Sequence, residues 1–499
     1  MGIKVGWGRR EISLNEPLNI PGQAIMRISE GVLDPLYATA LCVDGGEGRD
    51  AIIFCSCDLT SLRGVTLALT MEKVEAMRPE LPVGNVIMNA THTHTSCSQG
   101  KTPEKTPDGK DIYPGEKYVE FLTDQCAAAI CQAWDNRKPG GVAYGYGYAV
   151  VAHSRRVVYF DDTSLRGFTQ SLSPNGHGVM YGNTNDPMFS HYEAGADHFL
   201  NAMYTFDEAG KLTGIIANVP CPSQVTEMLT KLSADYWHDV REAVKEAFGE
   251  DVYVLPQCAA AGDLAPRILH YKKAQARRMK LKYGMEYDPS GPNSQSVKGF
   301  AERKDIAERV VAGLKEIYAW AKNDIRTDCE VKHLSQKVTL SKRMVTEEEK
   351  KWCEDKIKEL EDQIPDPNFA DPEDYRKKKS RYDSVKNRNM RVLKQYEEQQ
   401  NEPDIQMMLH VAQIGEIAFA TNRFELYQDF QHRIQARSPF MQTFVVQLAG
   451  AINSSYLPTE RGVANKGYSA CIFDNVVGPE GGQELVEHTL TMLEQLKEK

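Results

Sequence analysis

Residues 86–98 read VIMNATHTHTSCS. Val86-Ile87-Met88 is an apolar run of the kind that ends a buried strand; small hydroxyl residues, Cys97 and Gly100 follow it. His92 and His94 stand two apart just beyond that run. In an extended chain alternate residues share a face, so a strand end here presents both imidazoles to one loop. Two imidazoles at a strand end suit a metal or acid–base site. With only 12 histidines in 499 residues, the pair takes its meaning from what surrounds it.

Working outward, the first half of the chain alternates strand and helix signals. Ala51-Ile52-Ile53-Phe54-Cys55 is a short apolar run ending at Asp58, a buried strand by its pattern. Residues 67–77 read as the helix that follows, and 85–88 as the next strand. Residues 118–134 place Val119, Leu122, Cys126, Ile130 and Ala133 at helical spacing, stopping at Lys138-Pro139-Gly140-Gly141. Residues 212–219 read as a strand. Asp235 opens a helix with Trp237, Val240, Val244 and Phe248 on one face and Gly249 at its end. Residues 252–255 form a further strand, leading into QCAAAGD.

Between about 265 and 404 the character turns helical. Ile306, Val310, Leu314 and Ile317 make one amphipathic helix, and Thr346 with Glu349 a capping box before a charged one. Ile364-Pro365-Asp366-Pro367 interrupts, and a second polar helix covers about 373–399. Beyond it, residues 405–420 read as a β-hairpin around Ile414-Gly415-Glu416, 443–448 as a strand and 481–499 as a closing helix. The expected fold is α/β: mixed β-sheets flanked by helices in one large body over 1–499, with a helical hairpin inserted at 340–402.

Composition narrows the function. A net charge of −10 argues against a nucleic-acid partner. The basic clusters at 272–282 and 376–386 have Asp and Glu nearby, as solvated faces do. No run approaches the ~18 apolar residues of a membrane span. The N-terminus lacks a secretory pattern, and eleven cysteines without paired spacing favour reduced thiols. Together these predict a cytoplasmic protein acting on a small molecule, with a homo-oligomer allowed.

Zinc takes about four N, O or S ligands, and loops at strand ends can supply them from distant parts of a chain. Candidates in such places are Cys221 in NVPCPSQ, Asp263 in AAAGDLAPR, Glu425 in ATNRFELY and Tyr456 in NSSYLPT. Each also has an ordinary reading: Cys221 as a small buried hydrophobe, Glu425 as a helix-start carboxylate, Tyr456 as a packed ring.

The order of the segments adds what no single one carries. THTHTS, an arginine in HSRR, a G-D-x-x-P turn, a glutamate, then Tyr456 and Tyr468 resemble the neutral/alkaline ceramidase family. The resemblance runs from the N-terminus to about Gly482, and is weak in the helical insertion. It implies a zinc ion held by His92, Glu425 and Tyr456, with His94 beside it for proton transfer or substrate hydrogen bonding. It also implies Arg155 as the active-site arginine and Tyr468 as a tyrosine facing the reacting carbonyl. Asp263 and Arg267, in and after the turn, are then expected to bind substrate.

Three departures stand out. The family's second histidine ligand falls at Cys221, a competent zinc ligand as a thiolate; His191 or His198 is the alternative. The serine of the family's turn is Ala265 here. The secretion signal and C-terminal immunoglobulin-like domain are expected to be missing. The loops at 174–197 and 99–115 are rich in Asn, Asp, His, Tyr and Gly, suiting a polar ligand better than acyl chains. The expected activity is therefore zinc-dependent hydrolysis of an amide in a small polar substrate. Cleavage of a sugar-derived substrate and a degenerate site that binds metal or ligand without catalysis are the alternatives.

Overall fold

The computed structural model describes residues 2–166, 176–285, 294–368, 371–451 and 456–499, with backbone alone at 294–297. Pro174 and Asn175, which open the polar loop named above, lie outside the described residues. Eight of the described strands form one mixed sheet. Their order is Tyr253–Cys258, Leu212–Val219, Phe199–Asp207, Lys138–Tyr148, Lys4–Glu11, Tyr37–Asp44, Ala51–Cys57 and Val86–Ala90. The outermost pair at each end is parallel and the inner neighbours are antiparallel. A second sheet orders Val331–Ser341, Asp404–Ile414, Ile417–Thr421 and Gln442–Val446.

Period-two alternation builds the layers. Ile52 and Phe54 face a central core shared with the second sheet, where Phe54, Phe419 and Phe444 stack in series at 4.7 and 4.6 Å. Ile53, Cys55 and Cys57 face the other way, onto Leu122, Cys126 and Ile130 of helix Gly115–Asp135. Helices Tyr236–Phe248 and Ser294–Ala321 cover the other half of the first sheet. Helices Gln428–Arg437 and Pro479–Glu498 cover the outer face of the second. The fold is thus mixed α/β, as the sequence pattern predicts.

Helix Gly115–Asp135 ends just before Lys138-Pro139-Gly140-Gly141, the expected stop, and that stretch begins the strand Lys138–Tyr148. Its glycines are there for closeness. A Cβ on Gly145 would lie 2.1 Å from the Trp320 ring, and one on Gly147 2.9 Å from Ile317. Helix Ser294–Ala321 packs directly on that backbone, so Gly here marks close approach and not a loop.

The inserted helices, Glu347–Glu361 and Pro372–Glu398, lie between the adjacent antiparallel strands Val331–Ser341 and Asp404–Ile414. The capping box at Thr346 and Glu349 is present. Lys377, Lys378 and Lys379 pair with Glu373, Asp374 and Asp383 along the helix, as a solvated face does. Arg376, in the same basic cluster, is instead buried against Asp108 at 3.1 Å. Ser380 Oγ accepts from the Met26 amide at 2.9 Å. The second inserted helix therefore lies on the loops that lead toward His92 and His94. All eleven cysteines are free thiols. No helix among the described residues is long and apolar enough to cross a membrane.

Candidate metal centre

His92 follows strand Val86–Ala90 in the left-handed region, with φ 64°. That backbone is uncommon for a residue with a side chain and is held only where its surroundings force it. Here the hydroxyl residues of THTHTS supply the force. Thr93 and Thr95 both donate to the Ser233 carbonyl at 2.8 Å, and Thr60 donates to the Thr93 carbonyl at 2.8 Å. The threonines between the histidines are the frame on which the imidazoles are mounted.

Hydrogen bonds fix the tautomers. His92 Nδ1–H donates to the Thr60 carbonyl at 2.6 Å, which turns Nε2 toward Glu425. That Nε2 lies 3.2 Å from Glu425 Oε2 and 3.4 Å from His94 Nε2. His94 Nε2 accepts from the Gln224 side-chain amide at 2.9 Å, and Gln224 Oε1 in turn accepts from Arg155 at 3.4 Å. His94 Nδ1 lies 3.3 Å from the Glu227 carboxylate, which is braced from behind by Arg267. Burial lowers the pKa of His94 more than Glu227 raises it, which favours the neutral ring. A Cβ on Gly22 would sit 2.6 Å from the His94 ring, so the loop at 22 closes directly on it.

Glu425 and Tyr456 are register partners in a short parallel pair, Glu425–Leu426 with Tyr456–Leu457. This brings carboxylate and phenol side by side. Burial pushes the Glu425 carboxyl up, but His92 and Arg155 outweigh it and the group ends below its ordinary value. Arg155 donates to the Tyr456 hydroxyl at 3.2 Å and to the Gly262 carbonyl at 2.8 Å, and lies 3.9 Å from Glu425 Oε2. The Tyr468 ring meets that of Tyr456 edge-on at 5.6 Å. Burial raises both phenols.

His92, His94, Arg155, Glu425, Tyr456 and Tyr468 are thus brought together from five separate segments. His92 Nε2 and Glu425 Oε2 face each other at the mouth of the site, as two ligands of one cation do. Their 3.2 Å separation suits two ligands of a tetrahedral ion with bonds of ~2.0–2.2 Å. No group of three or more His, Cys, Asp and Glu side chains that could hold a metal occurs among the described residues. A shell here needs the phenol of Tyr456 as its third protein donor. His92 and Glu425 open onto a cavity of about 300 Å³.

Other expected residues lie elsewhere. Cys221 sits in the apolar core beneath helix Tyr236–Phe248, its thiol on the Pro222 carbonyl at 3.5 Å and kept protonated by burial. It is not brought to His92. Nor is either alternative: the exposed His191 bonds its neighbour Ser190, and His198 lies near His153. Ala265 is fully buried in a two-residue strand against His153. Arg267 stands behind Glu227, two contacts removed from His94. Gln224 and Glu227, which orient His94, carry no signal in the sequence beyond lying in the loop after strand Leu212–Val219.

Asp263 is buried and accepts from the Gln428 amide at 3.2 Å, at the start of helix Gln428–Arg437. Burial pushes its carboxyl up to about 7. A folded pKa above the unfolded ~3.9 gives a contribution present in full below pH ~3.9 and lost as pH rises toward 7. Asp263→Asn keeps the acceptor and cannot ionise. It is expected to exceed the parent in urea denaturation by only about 1 kcal/mol at pH 4.5 and by on the order of 4 kcal/mol at pH 8. Equal stabilities at both pH values would show that the carboxyl is already ionised in the fold.

No family model and no curated protein sequence matches the chain. Solved structures do. The overall architecture is that of the ceramidases: a ceramidase solved in complex with C2 is similar at TM-score 0.65 and 15% identity, over 100% of this chain and 76% of that one. The crystal structure of neutral ceramidase from Pseudomonas aeruginosa is similar at TM-score 0.66 and 16% identity, over 99% of this chain and 75% of its own. At such identity the shared property is the fold.

Proposed function

We propose that this chain is a zinc-dependent hydrolase that cleaves an amide C–N bond in a small polar substrate through metal-activated water. The observation that carries the reading is the convergence of His92 Nε2, Glu425 and Tyr456 beside a neutral His94, at a cavity. His92, Glu425 and Tyr456 would hold the ion. Bound there, zinc supplies polarisation of a carbonyl and a water whose pKa falls toward ~7.

The chain's own groups do the rest. His94, unprotonated at Nε2 and held by Gln224 and Glu227, takes a proton from water and returns it to the leaving nitrogen. Arg155 sits within reach of both Glu425 and Tyr456, where it steadies negative charge that develops on the reacting carbonyl. Tyr468 offers a second donor, each such donor being worth ~3–4 kcal/mol at best. Raised by burial, Tyr468 stays protonated at neutral pH and able to donate.

Metal analysis of purified protein is expected to find close to one zinc per chain, and turnover is expected on N-acylated amines. Turnover of modified glycosides alone would replace the amide reading by one on sugar-derived substrates. Tight zinc retention without turnover on either panel would make the site a binding one.

A further inference from the structure

The cavity that holds His92 and Glu425 has a second wall. It is made by Arg388, Arg391, Val392 and Gln395 of the inserted helix Pro372–Glu398, with Arg63 near enough to Arg391 for their charges to interact. Positions 388, 391, 392 and 395 share one helix face. Three guanidinium groups therefore line a cavity whose carboxylates are Glu425 and Asp474. Both carboxylates are engaged. Glu425 faces His92 and Arg155, and Asp474 pairs with Arg388 at 2.6 Å. Arg388 is thereby fixed over the Tyr468 ring at 5.4 Å, and its buried Nη1 has no hydrogen-bond partner among the described residues. Arg63 and Arg391 make no ion pair or side-chain hydrogen bond among the described residues. The nearest counter-charge on Arg391 is Asp474, already paired.

We infer that the substrate carries an anionic group, a carboxylate or sulfate, on the side of the scissile bond that faces the inserted helix, where Arg63 and Arg391 recognise it. Arg63 and Arg391 are exposed like charges that repel one another beside a site that would also hold a cation, and an anion entering between them offsets that repulsion. Their planar forks match a carboxylate or sulfate in two-point contact. The inserted helix is then the element that selects the substrate, and the sheet-borne residues are those that cleave it.

This inference rests on the metal-dependent reading above, and its test separates the two. Zinc-loaded protein is titrated calorimetrically with a series of ω-carboxyalkyl hydroxamates of increasing chain length and with the matching alkyl hydroxamates. The hydroxamate takes the metal and the tail probes the wall. At least one carboxylate member is expected to bind about tenfold tighter than its neutral match, with the preference shrinking in high salt. The double variant R63Q/R391Q is expected to bring the ratio to within about twofold, and R63K/R391K to keep most of it. Equal binding of charged and neutral members at every length overturns the inference while leaving the metal site standing. Binding of neither series overturns the metal reading, and the inference with it.

Discussion

Replacing His92 by alanine is expected to remove the metal and the turnover together. The ring is built for one task, with Nδ1 committed to the Thr60 carbonyl and Nε2 turned to Glu425. Without it, Glu425 retains Arg155 at 3.9 Å, so the carboxylate is not left unpaired and the fold should survive. Zinc content per chain is expected to fall close to zero, and kcat/KM by more than about 10³-fold. Glu425→Gln, which keeps the shape and removes the charge, should act in the same direction. Full metal content with full activity in His92→Ala would remove the site from consideration.

His94→Ala is expected to give the opposite split. Its Nε2 already accepts from Gln224, and its other nitrogen faces Glu227. The ring is therefore held as a base next to the ion and is not needed to keep it. Metal content should stay near that of the parent, while kcat falls by about 10²–10⁴-fold, the range for loss of a positioned acid–base group. Loss of zinc in His94→Ala comparable to that in His92→Ala would make both histidines ligands. The 3.4 Å between their Nε2 atoms is the reason the comparison decides.

Much of this was legible from the sequence, and for physical reasons. Strands such as Ala51–Cys57 feed two cores from alternate residues, so their apolar runs are continuous and unmistakable. The same sequence logic stops the preceding helix correctly at 138–141 but does not show the strand Lys138–Tyr148, because glycines that allow a helix to press on a strand look like those of a turn. The imidazole pair, Arg155, Glu425, Tyr456 and Tyr468 were each found as candidates by motif order. Their mutual contacts depend on pairings far apart in the chain, such as Glu425 with Tyr456.

Cys221 illustrates the limit of reading by order. It occupies the position where a ligand is expected, yet three residues later the same loop sends Gln224 to His94, and Cys221 turns into the core. A shift of three residues within a loop changes nothing in composition or spacing that a single sequence displays. The basic face of the second inserted helix is similar. Arg388, Arg391 and Gln395 look like residues of a solvated surface until the helix is laid over the cavity.

The register between strands Val331–Ser341 and Asp404–Ile414 runs unbroken from Val331↔Ile414 to Ser341↔Asp404. The chain leaves the sheet after Ser341 and re-enters it at the facing residue, so everything from 342 to 403 departs and returns through one gap. Such a segment can be lengthened, shortened or exchanged without moving a single strand pairing. Evolution, or a protein engineer, could thus graft a different roof onto an unchanged floor. Two chains of this fold could share every hydrolytic residue and still act on unrelated molecules.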